Sequence, residues 1–148
     1  MFVYLAVGGG GGCEMDKSGG DGIEKRVPKD GFVYRVSTSA EWEALQKTGF
    51  MLGGDLDRRT GCVHLSDLDQ VKVVLNNFFR GREGLYLLQI DAAKLGQGLI
   101  YEAAEGTYFP HFYGPDRSFQ PLSLDCVNKA EKLEVQNEEF ICSLLDQA

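Results

Sequence analysis

Twice in the first half of this chain an apolar, β-branched stretch runs straight into a helix-opening signature, and this repeated junction constrains the fold more than any other feature. "FVYRV" (Phe32 to Val36) has the composition of a strand. The "TSAEWEALQKTG" that follows carries a capping box from Thr38 to Glu41, a pattern that satisfies otherwise orphaned backbone donors at a helix start, and Gly49 is its expected stop. "GCVHL" (Gly61 to Leu65) repeats the arrangement. Ser66 and Asp69 form its capping signal, and "LDQVKVVLNNFFRG" places Leu68, Val71, Leu75, Phe78 and Phe79 at helical spacing. From Leu85 onward strands dominate. "LYLLQI" (Leu85 to Ile90) is an almost unbroken apolar run and reads as a central strand, while "LIYE", "YFPHFYG" and "CVNKAEKLEV" read as shorter strands between turns. The expected architecture is an α+β domain with two or three helices and no internal repeat. Trp42 and Leu45 lie three apart on one helical face and are assigned to the core.

A chain of 148 residues fits one domain able to bury a core without disulfides or metal. Residues 1–30 are rich in glycine and mixed charge without periodicity, so they are expected to form a disordered tail, with 31–148 as the single domain. No apolar run approaches the roughly 20 residues that span a bilayer. Acidic residues outnumber basic ones by 22 to 15, and the resulting charge of -7 repels a phosphate backbone, so broad nucleic-acid binding is not expected. Cys13, Cys62, Cys126 and Cys142 are widely spaced with no C-x-x-C pair, the pattern of free thiols in a reducing compartment. The apolar start has no basic residue before it and acidic residues soon after it, which fits neither a secretory nor an organelle signal. A cytoplasmic location is expected.

Glycine spacing excludes the common nucleotide-binding loops: "GFMLGGDLD" lacks the lysine and hydroxyl of a P-loop, and no G-x-G-x-x-G opens a helix. The two histidines are more informative. His64 alternates with Val63 and Leu65, so its ring points away from theirs and toward the side of Ser66. His111 alternates with Phe112 and shares a face with Phe109 and Tyr113, and Pro110 is expected to confine that strand to an edge or an end. Each histidine is flanked by apolar residues, a setting more often that of a hydrogen-bonded structural group. Glu102, closing "LIYE", is either a solvated strand end or a carboxylate at a cleft; both readings stay open. Two histidines with Asp67 or Glu102 would make a plausible metal set, but no H-x-x-x-H, H-x-H or H-x-E pair supplies two ligands from one element, and no metal site is assigned. A Ser66–His64 hydrolase is weaker still, because no nucleophile elbow G-x-S-x-G surrounds the serine.

"VYRVS", the following "EW", "GCVHLS", "NFFRGREGLYLLQID" and "FPHFYGP" together resemble the DUF952 family over about four fifths of the chain, from Phe32 onward. The resemblance implies a fold related to the ADP-ribosyltransferases, in which a split β-sheet forms a cleft for NAD. By the roles found in that superfamily, Arg35 is expected to contact the dinucleotide, His64 and Ser66 to position the ribose, and Glu102 to stabilise an oxocarbenium-like centre. "VHLS" is also similar to the corresponding segment of RNA 2′-phosphotransferases, which consume NAD. Tyr34 and Tyr113 are placed as groups that pack on a ring of the ligand, and His111 as an orienting group or an acid or base near neutrality. The expected function is therefore binding of NAD or a related nucleotide, with transfer or hydrolysis of ADP-ribose and an unspecified acceptor. The alternative is a noncatalytic module that binds a peptide or metabolite through the "FPHFYGP" surface.

Overall fold

The computed structural model describes residues 30–104 and 106–147, together with Ile23, Glu24 and Pro28. The expected disordered tail lies outside the described residues except at Ile23, Glu24, Pro28 and Asp30. Ile23–Glu24 forms β1. Ten further strands follow among the described residues: β2 (Phe32–Thr38), β3 (Phe50–Met51), β4 (Val63–His64), β5 (Leu85–Asp91), β6 (Leu99–Ala104), β7 (Thr107–Phe112), β8 (Leu122–Ser123), β9 (Val127–Lys132), β10 (Glu134–Gln136) and β11 (Glu139–Ile141). The helices are α1 (Ser39–Thr48), α2 (Asp55–Thr60), α3 (Leu68–Phe78) and α4 (Ala92–Leu95). The domain is thus α+β with antiparallel sheets, and it holds four α-helices where two or three were expected, because α2 and α4 are too short to carry an apolar period.

One sheet has the order β2-β5-β9, and β2 pairs with β5 along its whole length, from Phe32↔Asp91 to Thr38↔Leu85. Both of its faces are covered. Tyr34, Leu85 and Leu87 pack with Val71, Val74 and Leu75 of α3, while Val33, Leu88 and Ile90 pack with Leu45 of α1 and with Val63 and Phe112. Double-sided burial is why "LYLLQI" shows no polar alternation. Trp42 is only half-buried, against the second of these clusters and 6.3 Å from the ring of Tyr86. The second sheet has the order β1-β6-β7-β4, antiparallel throughout.

Thr38 caps α1 as its sequence predicts: its Oγ1 accepts from the Glu41 N–H at 3.1 Å, and Gly49 ends the helix at φ +84°. Thr38→Ala is expected to lower stability by about 1 kcal/mol through loss of this cap, read from the midpoint of a urea melt. The second junction differs from the expectation by one residue. Asp67, not Ser66, is the N-cap of α3, and Gln70 Oε1 accepts from the Asp67 N–H at 2.8 Å. Ser66 is still sheet-like: it gives its N–H to Tyr34 O at 2.8 Å and takes the Tyr34 N–H on its own oxygen at 2.7 Å. Through this bridge the chain that leaves β4 joins the second sheet to β2 of the first.

Candidate active site

Pro110 does not lie on an edge strand. It sits in β7 between β6 and β4, paired with Tyr101 on one side, and its oxygen accepts from the Leu65 N–H at 3.0 Å on the other. In an antiparallel ladder a residue's N–H and C=O face the same neighbour. The N–H that proline lacks would therefore have pointed at β4, where the chain leaves this sheet at Ser66 to pair with Tyr34. The missing donor falls where the partner strand ends, and an interior proline is tolerated.

That register sets His64 directly opposite His111. Leu65 and Pro110 are joined by a hydrogen bond, so the adjacent His64↔His111 pair is of the non-hydrogen-bonded kind, in which facing side chains approach most closely. The two rings meet edge to face, their centroids 4.8 Å apart, and both are buried. Each is held by a carboxylate on its far side.

His64 Nδ1 lies 2.7 Å from Asp57 Oδ1, which also accepts the His64 backbone N–H at 3.0 Å. Asp57 comes from α2, a helix not expected from the sequence, although its charge order, acids first and arginines last before Gly61, is the pattern a helix dipole favours. Burial opposes a charge on Asp57, but Arg35 beside it, with the hydrogen bonds from His64 and Arg35, holds its carboxyl well below the usual range. Burial pushes the His64 imidazole down to about 4 against the opposing pull of Asp57. A neutral ring next to an ionised carboxylate carries its proton on Nδ1, which leaves Nε2 as the lone-pair nitrogen.

Arg35 is spent within the protein. Its Nε and Nη2 donate to Glu41 at 3.1 and 2.7 Å, Nη1 and Nη2 donate to Asp57 at 3.1 and 3.0 Å, and Nη1 donates to His64 O at 3.0 Å. These five bonds use all five N–H groups of a guanidinium. The expected contact of Arg35 with the dinucleotide is therefore replaced by a hub that ties α1, α2, β2 and β4 together. Tyr34 points to the other face of β2, where its hydroxyl donates to Asp30 Oδ2 and accepts from Gln89 Nε2, so it does not join the histidines. Ser66 is buried beside them in the chain, with its backbone committed to Tyr34.

Glu102 answers the open question about "LIYE": it is buried and faces His111. Its Oε1 lies 2.5 Å from His111 Nδ1 and accepts from the Tyr113 hydroxyl at 2.7 Å, and its Oε2 accepts from Arg117. The Tyr113 hydroxyl and Arg117 both donate, so the carboxylate is an acceptor and His111 holds its proton on Nδ1. Burial, with Cys62 and Glu102 nearby, raises the Tyr113 phenol well above its ordinary value, so it stays a donor. Among the described residues, His111 Nε2 is the one buried side-chain nitrogen or oxygen without a hydrogen-bond partner. Cys62 Sγ is 3.9 Å from His64 Nε2, and burial pushes this thiol up to about 12, so it stays protonated. No three His, Cys, Asp or Glu side chains among the described residues gather as metal ligands.

A groove of about 460 Å³ opens at the Tyr113 end of this cluster, lined among others by Lys94, Gln97, Gly98, Ile100, Tyr113 and Arg117. Gly98 allows the start of β6 to close on the end of β7: its oxygen accepts from the Tyr113 N–H, and a Cβ there would lie 2.3 Å from Tyr113 O. In "FPHFYGP" Phe109 to Tyr113 are buried, Gly114 is half-buried and Pro115 exposed, and Phe112 to Pro115 line the groove.

The family model described as "Protein of unknown function (DUF952)" matches residues 36–130, which span Asp57, His64, Glu102, His111, Tyr113 and Arg117. The chain belongs to the DUF952 family. Among solved structures, this DUF952 chain is similar to the crystal structure of protein CC0527 from Caulobacter crescentus, at 31% identity and a TM-score of 0.66, over 74% of this chain and 91% of that one. The solution NMR structure of CC0527 gives 30% identity and a TM-score of 0.65, over 79% and 96%. No curated protein matches the sequence. No helix among the described residues of the DUF952 domain is long and apolar enough to cross a membrane.

Proposed function

We propose that this DUF952 protein is an NAD-using enzyme of the cytoplasm that binds NAD or a related nucleotide in the groove beside Tyr113 and Arg117. The two antiparallel sheets joined at Ser66 would then be the split sheet of an ADP-ribosyltransferase-like fold. The observation that carries the reading is the buried Glu102–His111 pair, whose Nε2 nitrogen has no partner in the protein. A carboxylate on Nδ1 fixes the tautomer and supports positive charge on the ring, the division of labour found in hydrolytic dyads and triads.

In the proposed reaction the bond between nicotinamide and the ribose anomeric carbon breaks, and nicotinamide leaves with the bonding pair. An acceptor hydroxyl, or water, forms the new bond to that carbon and gives its proton to His111 Nε2. Glu102 stabilises the imidazolium that results and, at closer approach, the positive charge of the sugar. The dinucleotide contact expected of Arg35 passes to Arg117, whose side chain is 38% exposed. Asp57 and His64 back the reacting ring from its other side.

The test is a thermal-shift series with NAD, ADP-ribose and nicotinamide, followed by chromatography for released nicotinamide. At about a hundred-fold excess over its dissociation constant a specific ligand adds about 2.7 kcal/mol, several degrees of Tm. NAD or ADP-ribose is expected to give that shift, and Glu102→Gln to abolish release of nicotinamide while the protein stays folded. No shift with either nucleotide and no nicotinamide from the wild-type protein would overturn the assignment.

A further inference from the structure

Arg117 stands between the groove and the buried pair. Its guanidinium lies 4.5 Å from the centre of the Tyr113 ring, and Nη2 donates both to Glu102 and to the Tyr113 hydroxyl. It is the half-exposed member of an otherwise buried group: Glu102 and His111 keep 7% and 5% of their side-chain surface. The residue sits in the turn Pro115–Arg117, where Asp116 and Arg117 take left-handed φ values of 56° and 57°, a conformation unfavourable for side chains other than glycine. The turn is fastened to itself, through Ser118 Oγ and N–H to Pro115 O and Gly114 N–H to Ser118 O, so it can shift without breaking a sheet ladder. Lys94 and Asp116 also line the groove, the Lys94 ammonium donating to Asp125 O at 3.0 Å.

We infer that the groove is an anion site, that Arg117 receives the phosphate of its ligand, and that this contact draws Arg117 off Glu102 and opens the way from the groove to the Glu102–His111 pair. The chemistry follows from competition for one cation. Here the guanidinium neutralises a buried carboxylate; a pyrophosphate, with at least two charges and several non-bridging oxygens, offers the same planar fork a better partner. Departure of Arg117 leaves the Tyr113 hydroxyl and His111 Nδ1 on Glu102 and uncovers the Glu102 side of the pair. The inference deepens the nucleotide reading by naming the phosphate as the recognised group and Arg117 as the residue that couples its binding to access.

Coupling of this kind makes a prediction that a simple binding pocket does not. If Glu102 and phosphate compete for Arg117, then Glu102→Gln, which removes the competing charge, must tighten phosphate binding, while Arg117→Gln must weaken it. Inorganic pyrophosphate serves as the probe, titrated by calorimetry into the wild-type protein and both variants, each first shown to be folded by circular dichroism. The expected changes are about ten-fold in each direction, and Arg117→Lys is expected to recover only part of the loss. In the wild-type protein pyrophosphate is expected to move the side-chain nitrogen resonances of both Arg117 and His111. Equal pyrophosphate affinity in wild type and Glu102→Gln, or Arg117 resonances that move while those of His111 stay fixed, would overturn the coupling. Pyrophosphate behaving as expected while NAD yields no nicotinamide would sink the NAD reading and leave the anion latch standing; nicotinamide release with unchanged pyrophosphate affinities would do the reverse.

Discussion

Asp57→Ala is expected to destabilise the protein by about 3 to 5 kcal/mol, the range for stripping one partner from a buried ion pair. One carboxylate satisfies four donor groups: Arg35, the ring of His64, the His64 backbone N–H and the Gly54 backbone N–H, the last at 2.7 Å. Alanine removes the acceptor and leaves a fully buried guanidinium with Glu41 as its remaining carboxylate. The buried His64 N–H groups lose their partner as well, and each unsatisfied donor carries its full desolvation cost. Asp57→Asn is expected to cost less, because an amide oxygen still accepts, but it turns a donor group toward Arg35. Urea denaturation of both variants checks this: a loss below about 1 kcal/mol in Asp57→Ala would show that Arg35 and His64 find other partners or water.

The parts of this fold that were legible in the sequence are those dictated by neighbours in the chain. Thr38, three residues before Glu41 and directly after a β-branched stretch, forces the strand-to-helix junction locally, and Gly49 closes α1 because a residue with φ +84° is needed there. The nearly unbroken apolar run Leu85–Ile90 reads as a central strand, and it is one covered on both faces. Ser66 misled by one position because its own backbone was claimed by Tyr34, a partner far away in the chain, so that the cap fell to Asp67. Pro110 misled because the rule that confines proline to edges assumes a partner strand that continues, and β4 does not.

The candidate site divides in the same way. Alternation alone gave His64 and His111 the faces they occupy, but their direct opposition is a matter of register between β4 and β7, which only tertiary pairing decides. Asp57 was invisible because α2 has six residues and one buried apolar side chain, Leu56, too little to show a period. The ligand role of Arg35 came from the resemblance to the ADP-ribosyltransferases, and a basic residue buried on an apolar strand demands an anion in any case. Glu41 and Asp57, supplied by two helices, meet that demand from within the protein. In the sequence Glu41 stands where a capping box needs it, yet its side chain serves Arg35 instead.

The His64 imidazole gives the protein a pH dependence of known sign. Its ordinary value of 6.5 falls to about 4 in the folded state, first because burial penalises the imidazolium and further because His111 and Arg35 repel it. Above pH 6.5 the ring is neutral in both folded and unfolded chains and contributes no pH dependence. Between pH 6.5 and 4 the unfolded chain binds a proton that the folded chain refuses, so stability falls as the pH falls. Below pH 4 both states are protonated and the loss is complete, on the order of 3 kcal/mol for this one group. Asp57 enters only lower, as the pH approaches the ordinary aspartate value of 3.8, and so leaves most of the window to His64. Urea melts of wild type and His64→Gln from about pH 7 to about pH 4 separate the contribution. The variant is expected to be less stable at neutral pH, because Asp57 loses a ring donor, and to decline more gently on acidification. Parallel slopes in the two proteins would mean that the folded state admits a proton at His64, which would require the carboxylate of Asp57, 2.7 Å away, to outweigh the burial of the ring.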